Sequence, residues 1–165
     1  MEAIKMLKTR QSQRKFLPYS IDLKIVEDIV DCGRLAASAK NIQPWHFVVV
    51  DDSELKTKIS TLAKNGSFIK DCGVAIAVFC KTGDFMIEDG SAATQNILNA
   101  ATAYNLGSCW VAGYHRSYSK QVEQLLSSPQ DYELVSLIAI GIVDQPHPRP
   151  DKKPLEQVMS YNKFE

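Results

Sequence analysis

Two arginines and a serine near the N-terminus carry the side chains best suited to hold an anion. Arg10, Ser12 and Arg14 occupy alternate positions of the segment RQSQRKF, residues 10–16. The planar fork of an arginine matches the oxygens of a phosphate, and a serine hydroxyl adds a further hydrogen bond. The spacing favours a phosphate site, whereas the same composition also fits a solvated basic loop.

A polar loop before an apolar run is the second segment that could do chemistry. Ser38, Asn41 and Gln43 come just before Trp45 and the buried-strand pattern FVVV. Side-chain amides can read the edge of a polar heterocycle or a sugar hydroxyl, or they can cap the loop's own backbone. Because loops at the ends of buried strands often bind ligands, we expect this loop to face one, with Trp45 as its anchor in the core.

The sequence LGSCWVAG, residues 106–113, surrounds one tryptophan with small residues. Small side chains allow a flat ring to approach the backbone and its N–H groups, although a turn with Gly107 as a helix cap has a similar sequence. The chain has no G-x-G-x-x-G and no Walker A motif, which argues against the usual dinucleotide and nucleoside-triphosphate sites. The three histidines have no metal-ligand spacing, and Ser108 and Cys109 have no base beside them in sequence.

Composition limits the classes of function. The 165 residues suit one domain, and 45% hydrophobic with 23% charged residues is typical of an ordered globular protein. A formal net charge of zero argues against a general nucleic-acid or anionic-membrane binder. Since there is no signal-peptide core and no apolar run long enough to span a membrane, we expect a cytoplasmic protein. The four cysteines form no C-x-x-C pair and are expected to be buried free thiols.

Hydrophobic periodicity predicts the elements that must position these segments. Helices are expected over residues 2–8, from 23 to near 33, from about 53 to 63, over 85–104 and over 119–127. Ser20 or Asp22 can cap the second helix, and Asp52 or Ser53 can cap the third. Buried strands are expected over residues 46–50, 73–80 and 134–143, with a turn or short strand over 107–113. This pattern fits an α+β or a three-layer α/β domain.

Two further regions bear on packing. The helix over residues 85–104 is rich in small residues, so it is expected to be central and could pack on its own copy in a dimer. From residue 144 the chain carries four prolines and little core of its own. Such a tail either lies across another subunit or forms a flexible end.

These segments together resemble the nitroreductase family of FMN-dependent oxidoreductases over nearly the whole chain. The similarity begins with residues 10–16 and with ASAKNIQPWHF, residues 37–47. It continues in AATQN on the long helix, in LGSCW, and in KKPLE in the tail. The order and spacing of these motifs, rather than any one of them, make the resemblance specific.

The resemblance implies an α+β fold, a three-layer sandwich in which helices flank a central, mostly antiparallel sheet. It also implies a homodimer that binds two FMN molecules at the subunit interface. We expect a single FMN-binding domain over residues 1–165, with a tail over residues 144–165 that crosses the partner subunit.

The resemblance also implies which residues contact FMN. They form a phosphate and ribityl grip, a loop that reaches the flavin from the partner subunit, a segment beside the ring, and a basic tail. In that order they are Arg10, Gln11, Ser12 and Arg14; Ser38, Asn41 and Gln43; Trp110, Val111, Ala112 and Gly113; and Arg149 and Lys152. The Ala112 N–H is expected to face flavin N5. The family's tail often has two basic positions near the phosphate. The first falls on Pro150 here, so Arg149 would replace that basic residue imperfectly. The second is Lys152, and a lysine is a weaker bidentate partner for a phosphate than an arginine.

The activity implied is electron transfer from NADH or NADPH through FMN to a small organic acceptor, such as a nitroaromatic or a quinone, in a ping-pong cycle. Related flavin chemistry, such as dehalogenation or dehydrogenation, would carry the same motifs. So would an FMN-binding protein with a storage or regulatory role. No nucleic-acid, membrane or metal partner is expected, and the short chain leaves less protein to cover the flavin and select a substrate.

Overall fold

The computed structural model describes residues 2–145 and 150–164, and its helices and strands follow the predicted order. The helices are α1 Ala3–Thr9, α2 Leu23–Arg34, α3 Ser53–Leu62, α4 Met86–Ala103 and α5 Ser119–Leu125. The strands are β1 Trp45–Val50, β2 Val74–Lys81, β3 Gly107–Ala112 and β4 Tyr132–Gly141. Each predicted helix and strand is confirmed to within one or two residues at each end, and the segment after residue 106 is a strand.

The four strands form one antiparallel sheet in the order β1-β2-β4-β3. The central strands β2 and β4 are buried almost throughout, which explains their continuous apolar sequences. β3 is an edge strand, and the N-terminal chain lies along its outer side, where Ser12 forms a parallel bridge with Ser108. The mostly antiparallel sheet implied by the resemblance is therefore confirmed.

Helices cover both faces of this sheet, because alternate residues of a strand point in opposite directions. On one face Ala77 belongs to a core cluster with Ile59 of α3 and Val122 of α5. On the other face Ile76 belongs to a cluster that includes Ile97 of α4 and residues of α2. The helices thus form two outer layers around the sheet, which confirms the three-layer α+β fold.

Two aspartates begin the helices for which the sequence left a choice of cap. The Asp22 carboxylate accepts a hydrogen bond from the Lys24 N–H at 2.8 Å. The Asp52 carboxylate accepts one from the Leu55 N–H at 2.7 Å. Each satisfies a backbone donor that the first helical turn leaves without a partner, so the cap is Asp22 rather than Ser20, and Asp52 rather than Ser53.

The small residues of α4 allow it to approach the sheet of its own subunit. A Cβ added to Gly90 would lie 2.8 Å from Val135 Cγ2 and 2.9 Å from Cys80 Sγ, so no larger residue fits there. One turn further along α4, Thr94 Oγ1 and Ser136 Oγ share a buried hydrogen bond of 2.8 Å. The expected central position of this helix is confirmed, and packing within the subunit already explains its composition at these positions.

All four cysteines have free thiols, as predicted, and three of them are buried while Cys32 is partly exposed. Burial raises the pKa of Cys72 to about 11 and that of Cys80 to about 12. Both therefore remain protonated at neutral pH and behave as small core residues. Trp45 packs against the core cluster that contains Cys80, which agrees with its predicted role as an anchor.

The described helices include none that combines the length and the apolar character needed to cross a membrane.

Candidate functional site

The N-terminal segment, residues 10–16, lies directly against β3. The Gln13 N–H donates a hydrogen bond of 2.9 Å to the Ser108 carbonyl, next to the bridge between Ser12 and Ser108. Gly107 permits this approach, since an added Cβ would lie 2.9 Å from Gln13 Cβ and 2.5 Å from Val143 Cγ1. The alternative interpretation of Gly107 as a helix cap is wrong, because α4 is capped by Tyr104.

Two arginines and a serine of this segment influence the thiol of Cys109 on β3. Burial raises the pKa of Cys109, while Arg14, Ser12 and Arg10 each act in the opposite direction. Both guanidinium charges and the serine hydroxyl therefore stand close enough to the Cys109 sulfur to influence it. Neither arginine forms an ion pair within the described ranges 2–145 and 150–164, so both positive charges remain available to a ligand.

The end of β3 presents backbone groups to an open edge. Successive residues of an antiparallel strand direct their N–H and C=O groups to alternate sides. The Ser108 carbonyl points away from β4, towards residue 13, so the backbone groups of Trp110 and Ala112 also point outwards. The next two amides, of Gly113 and Tyr114, both donate to the Val135 carbonyl, at 3.0 and 3.2 Å. The outward N–H of Ala112, an exposed residue, remains available at this edge.

The amide loop, residues 38–43, has a strained conformation held by its own hydrogen bonds. Lys40, Asn41 and Gln43 have positive φ angles of 52°, 55° and 52°. The Ser38 hydroxyl accepts a bond from the Gln43 N–H at 3.0 Å, and the Gln43 side chain donates to the Asn41 carbonyl at 3.3 Å. The Gln43 amide therefore caps the loop itself, which was the alternative left open for the amides, and the Ser38 hydroxyl also bonds within the loop, whereas Asn41 is exposed.

The amide loop and the N-terminal segment lie at opposite edges of the sheet. The loop leads into β1, whereas residues 10–16 flank β3, and two strands separate these edges. Neighbouring strands are about 4.8 Å apart, so the two edges are separated by about 14 Å. Within one chain the structure therefore brings Ser12 and Gln13 next to Ser108 of β3, whereas the amide loop leads into the strand at the opposite edge.

A 3₁₀ turn over Lys64–Asp71 stands beside the β3 edge and was not predicted. A Cβ added to Gly66 would lie 3.0 Å from Val111 Cγ1, so the turn packs closely on the strand. Its exposed polar residues, none of which was in the expected site, include Lys64 and Asn65. The asparagine–glycine pair is a turn signal that could have located it.

Two hydroxyl groups after β3 were also missed. Tyr118 Oη donates a hydrogen bond to the Ala112 carbonyl, and Ser119 Oγ donates one to the Gly113 carbonyl. The Arg116 N–H in turn donates to Ser119 Oγ at 2.9 Å, which closes the loop. Serine and tyrosine in a polar loop have no spacing that marks such a role, so only the fold reveals it.

The tail is the last of the predicted contact regions. Lys152 is exposed, as are all the described residues from 150 to 164. Arg149 lies outside the described residues. The predicted contact between the basic tail and a phosphate therefore stays a prediction.

The N-terminal segment and the β3 edge together suit a ligand that carries its own reactive group. It offers two free guanidinium groups for an anion and an outward backbone N–H for a polar ring. Across residues 2–145 and 150–164, no group of three or more histidine, cysteine, aspartate or glutamate side chains could hold a metal ion.

Comparison with known proteins gives consistent matches. A model of the Nitroreductase family matches residues 7–76 and 81–142. A protein from Archaeoglobus fulgidus with the provisional name NADH dehydrogenase/NAD(P)H nitroreductase is 35% identical over 147 residues, which cover 85% of this chain and 84% of the relative. The NADPH-flavin oxidoreductase of Vibrio harveyi is 26% identical over 169 residues, covering 92% of this chain and 68% of the relative.

A solved structure confirms the similarity of fold. The FMN-dependent nitroreductase from Clostridium difficile R20291 superposes with a TM-score of 0.91 at 30% sequence identity. The match covers 98% of this chain and 99% of that one, so the architecture is shared from end to end.

Proposed function

Because the chain belongs to the nitroreductase family, we propose that it is an FMN-dependent oxidoreductase that passes electrons from NADH or NADPH to a small organic acceptor. One observation carries the assignment to this site. The arginines of residues 10–16 and the outward N–H of Ala112 lie along the same edge of the sheet. A phosphate and a flat polar ring in one molecule match these two kinds of donor.

The N-terminal segment would hold the FMN phosphate and ribityl chain. Arg10 and Arg14 supply uncompensated charge, Ser12 adds a hydroxyl, and Gln11 stands between them in the same segment. Charge-assisted hydrogen bonds of this kind are each worth about 1.5–3 kcal/mol. We further propose that Arg149 and Lys152 of the tail add positive charge to the phosphate.

The β3 segment would hold the flavin ring. Residues 110–113 would lie beside it, with the Ala112 N–H directed at N5. Val111 is buried and Gly113 is held through its amide, so the backbone here has little freedom to move. A rigid donor needs no reorganisation when a ligand binds, which favours binding.

The partner subunit would complete the site. Ser38, Asn41 and Gln43 lead into β1, and three strand spacings, about 14 Å, separate β1 from β3 in the same chain. We therefore propose that they reach the flavin of the partner in a homodimer. The tail, residues 144–165, would cross the partner as part of the same single domain, which is supported by its exposed Leu155, Val158 and Tyr161.

The protein's own contribution to the reaction would be binding and orientation. When bound, FMN supplies the redox chemistry that no side chain of this protein can provide. The reduced nicotinamide and the acceptor would use the same opening in turn, which predicts ping-pong kinetics. Nitroaromatic or quinone-like acceptors are the proposed class.

The test is spectroscopic. The purified protein is reconstituted with FMN, and its visible spectrum is recorded before and after addition of NADH or NADPH without oxygen. Bleaching of the bound flavin supports the proposal. A protein that binds no flavin after reconstitution would refute it, and bound flavin that neither nicotinamide reduces would favour storage instead.

The dimer is tested separately by sedimentation. We expect a dimer at every concentration at which FMN is bound. A monomer that still binds FMN tightly would contradict a site shared between subunits.

A further inference from the structure

The loop after β3 is closed by two consecutive side chains that hold two consecutive carbonyls. Tyr118 bonds the Ala112 carbonyl and Ser119 bonds the Gly113 carbonyl, both from the start of α5. The aromatic ring of Tyr118 is itself partly buried against the core cluster beneath α5. The hydroxyl that reaches Ala112 is therefore carried by a side chain with little freedom.

The peptide group between Ala112 and Gly113 is held on both sides. Its carbonyl accepts the bond from Tyr118, and its N–H donates to the Val135 carbonyl at 3.0 Å. The Ala112 N–H belongs to the preceding peptide group, between Val111 and Ala112, and the two planar peptide groups meet at the Ala112 Cα. Holding the second group in place therefore restricts the direction of the Ala112 N–H. That N–H is the donor at the open edge.

We propose that Tyr118 is a positioning residue that pre-organises the Ala112 N–H for the ring of the cofactor. This inference rests on the proposed function, and it adds a residue that does not touch the cofactor itself. A donor held in place before binding costs less conformational entropy than one that must be ordered. Loss of the hydroxyl should therefore weaken FMN binding without removing any direct contact.

The electrostatic surroundings allow Tyr118 to act as a donor. Burial raises the pKa of Tyr118, and the smaller opposing effect of Arg116 does not reverse the shift. The hydroxyl therefore keeps its proton across the neutral range. A carbonyl oxygen accepts only, so the bond to Ala112 requires that proton.

The test compares Tyr118→Phe with Tyr104→Phe. Both changes remove a tyrosine hydroxyl that makes a hydrogen bond, but Tyr104 bonds Asp28 at 2.5 Å near the end of α4, away from the Ala112 end of β3. The Kd for FMN is measured by quenching of flavin fluorescence, and hydrogen exchange of residues 110–114 is measured in the flavin-free protein. We expect Tyr118→Phe to raise the Kd about three- to tenfold and to speed exchange of the Gly113 N–H, which is bonded to the Val135 carbonyl. Tyr104→Phe should change neither quantity.

The possible outcomes separate the two proposals. An unchanged Kd in Tyr118→Phe, with faster exchange, would overturn the positioning role, since the peptide would be loosened without effect on binding. An equal rise in Kd in Tyr104→Phe would also overturn it, because the effect would then be one of general stability. Failure of the unmodified protein to bind FMN would refute the proposed function itself, and with it this inference, before any variant is compared.

Discussion

The β3 edge and the amide loop lie at opposite margins of one sheet, and they differ in what satisfies their polar groups. At the β3 edge, within residues 2–145 and 150–164, Arg10 and Arg14 form no ion pair, and the Ala112 N–H points away from β4. In the amide loop most polar groups bond one another, and Asp89 accepts a further bond from the Ala39 N–H at 2.9 Å. The first region is the edge that we propose receives the ligand, while the second is a loop that we propose forms a projection towards the partner subunit.

Under the proposed function, one chain carries two halves of a site that it cannot itself join. A projection held in a strained conformation contributes to a site only if another surface meets it. The following experiments test the contrast, beginning with the largest expected effect.

Arg14→Ala tests the receiving edge. We expect the Kd for FMN to rise about ten- to a hundredfold, because a charge-assisted contact worth about 1.5–3 kcal/mol is removed. Fluorescence titration measures the change. Lys15→Ala is the matched control, since this neighbouring cation is also exposed and was not assigned to the phosphate. Similar weakening by both variants would show that only general positive charge matters.

A mixed dimer tests whether the projection serves the partner. One subunit carries Arg14→Ala and the other carries Asn41→Ala, with different affinity tags for purification. If the loop crosses the interface, one FMN site contains both Arg14→Ala and Asn41→Ala, and the other FMN site contains neither change. Titration should then find one site of unmodified affinity per dimer. Two sites that are each weakened, one by Arg14→Ala and the other by Asn41→Ala, would instead place the loop and the arginines of one chain in the same site.

Gly107→Ala tests how the receiving edge is assembled. The added Cβ would lie 2.5 Å from Val143 Cγ1 and would separate residue 13 from β3. Overpacking of this kind costs about 1–3 kcal/mol, so urea unfolding should show a lower stability, together with weaker FMN binding. Gly83→Ala is the control, because nothing lies within 4 Å of the added Cβ. Equal stability of the two variants would mean that the N-terminal segment is not packed as described.

Asp89→Ala tests how the projection is held. Asp89 is only 5% exposed, and its loss leaves the Ala39 N–H without its acceptor, at a cost of about 1–2 kcal/mol. Thermal unfolding measures this cost. Asp89→Asn keeps an oxygen at the same place and should lose less. If the two variants are equally stable, the hydrogen bond to the loop contributes nothing.

Much of the fold could be predicted from local patterns. The apolar run of β2 and the helical spacing of α2 are properties of adjacent residues, so both elements were predicted nearly to their ends. The Lys64–Asp71 turn has no such periodicity and was missed. Tyr118 was missed for a different reason, because a hydrogen bond to a residue six positions earlier depends on the turn between them.

The sequence by itself determined the elements, their order along the chain and the membership of a family, since all three depend on residue types and spacing. Only the tertiary structure decided which of these elements meet. Strand order departs from chain order, because β4 lies between β2 and β3. That insertion places β3 at an edge beside residues 10–14 and leaves the amide loop at the other edge. The spacing of residues along the chain does not predict the distance between these two edges, because long-range strand pairing is decided by the packing of the whole sheet.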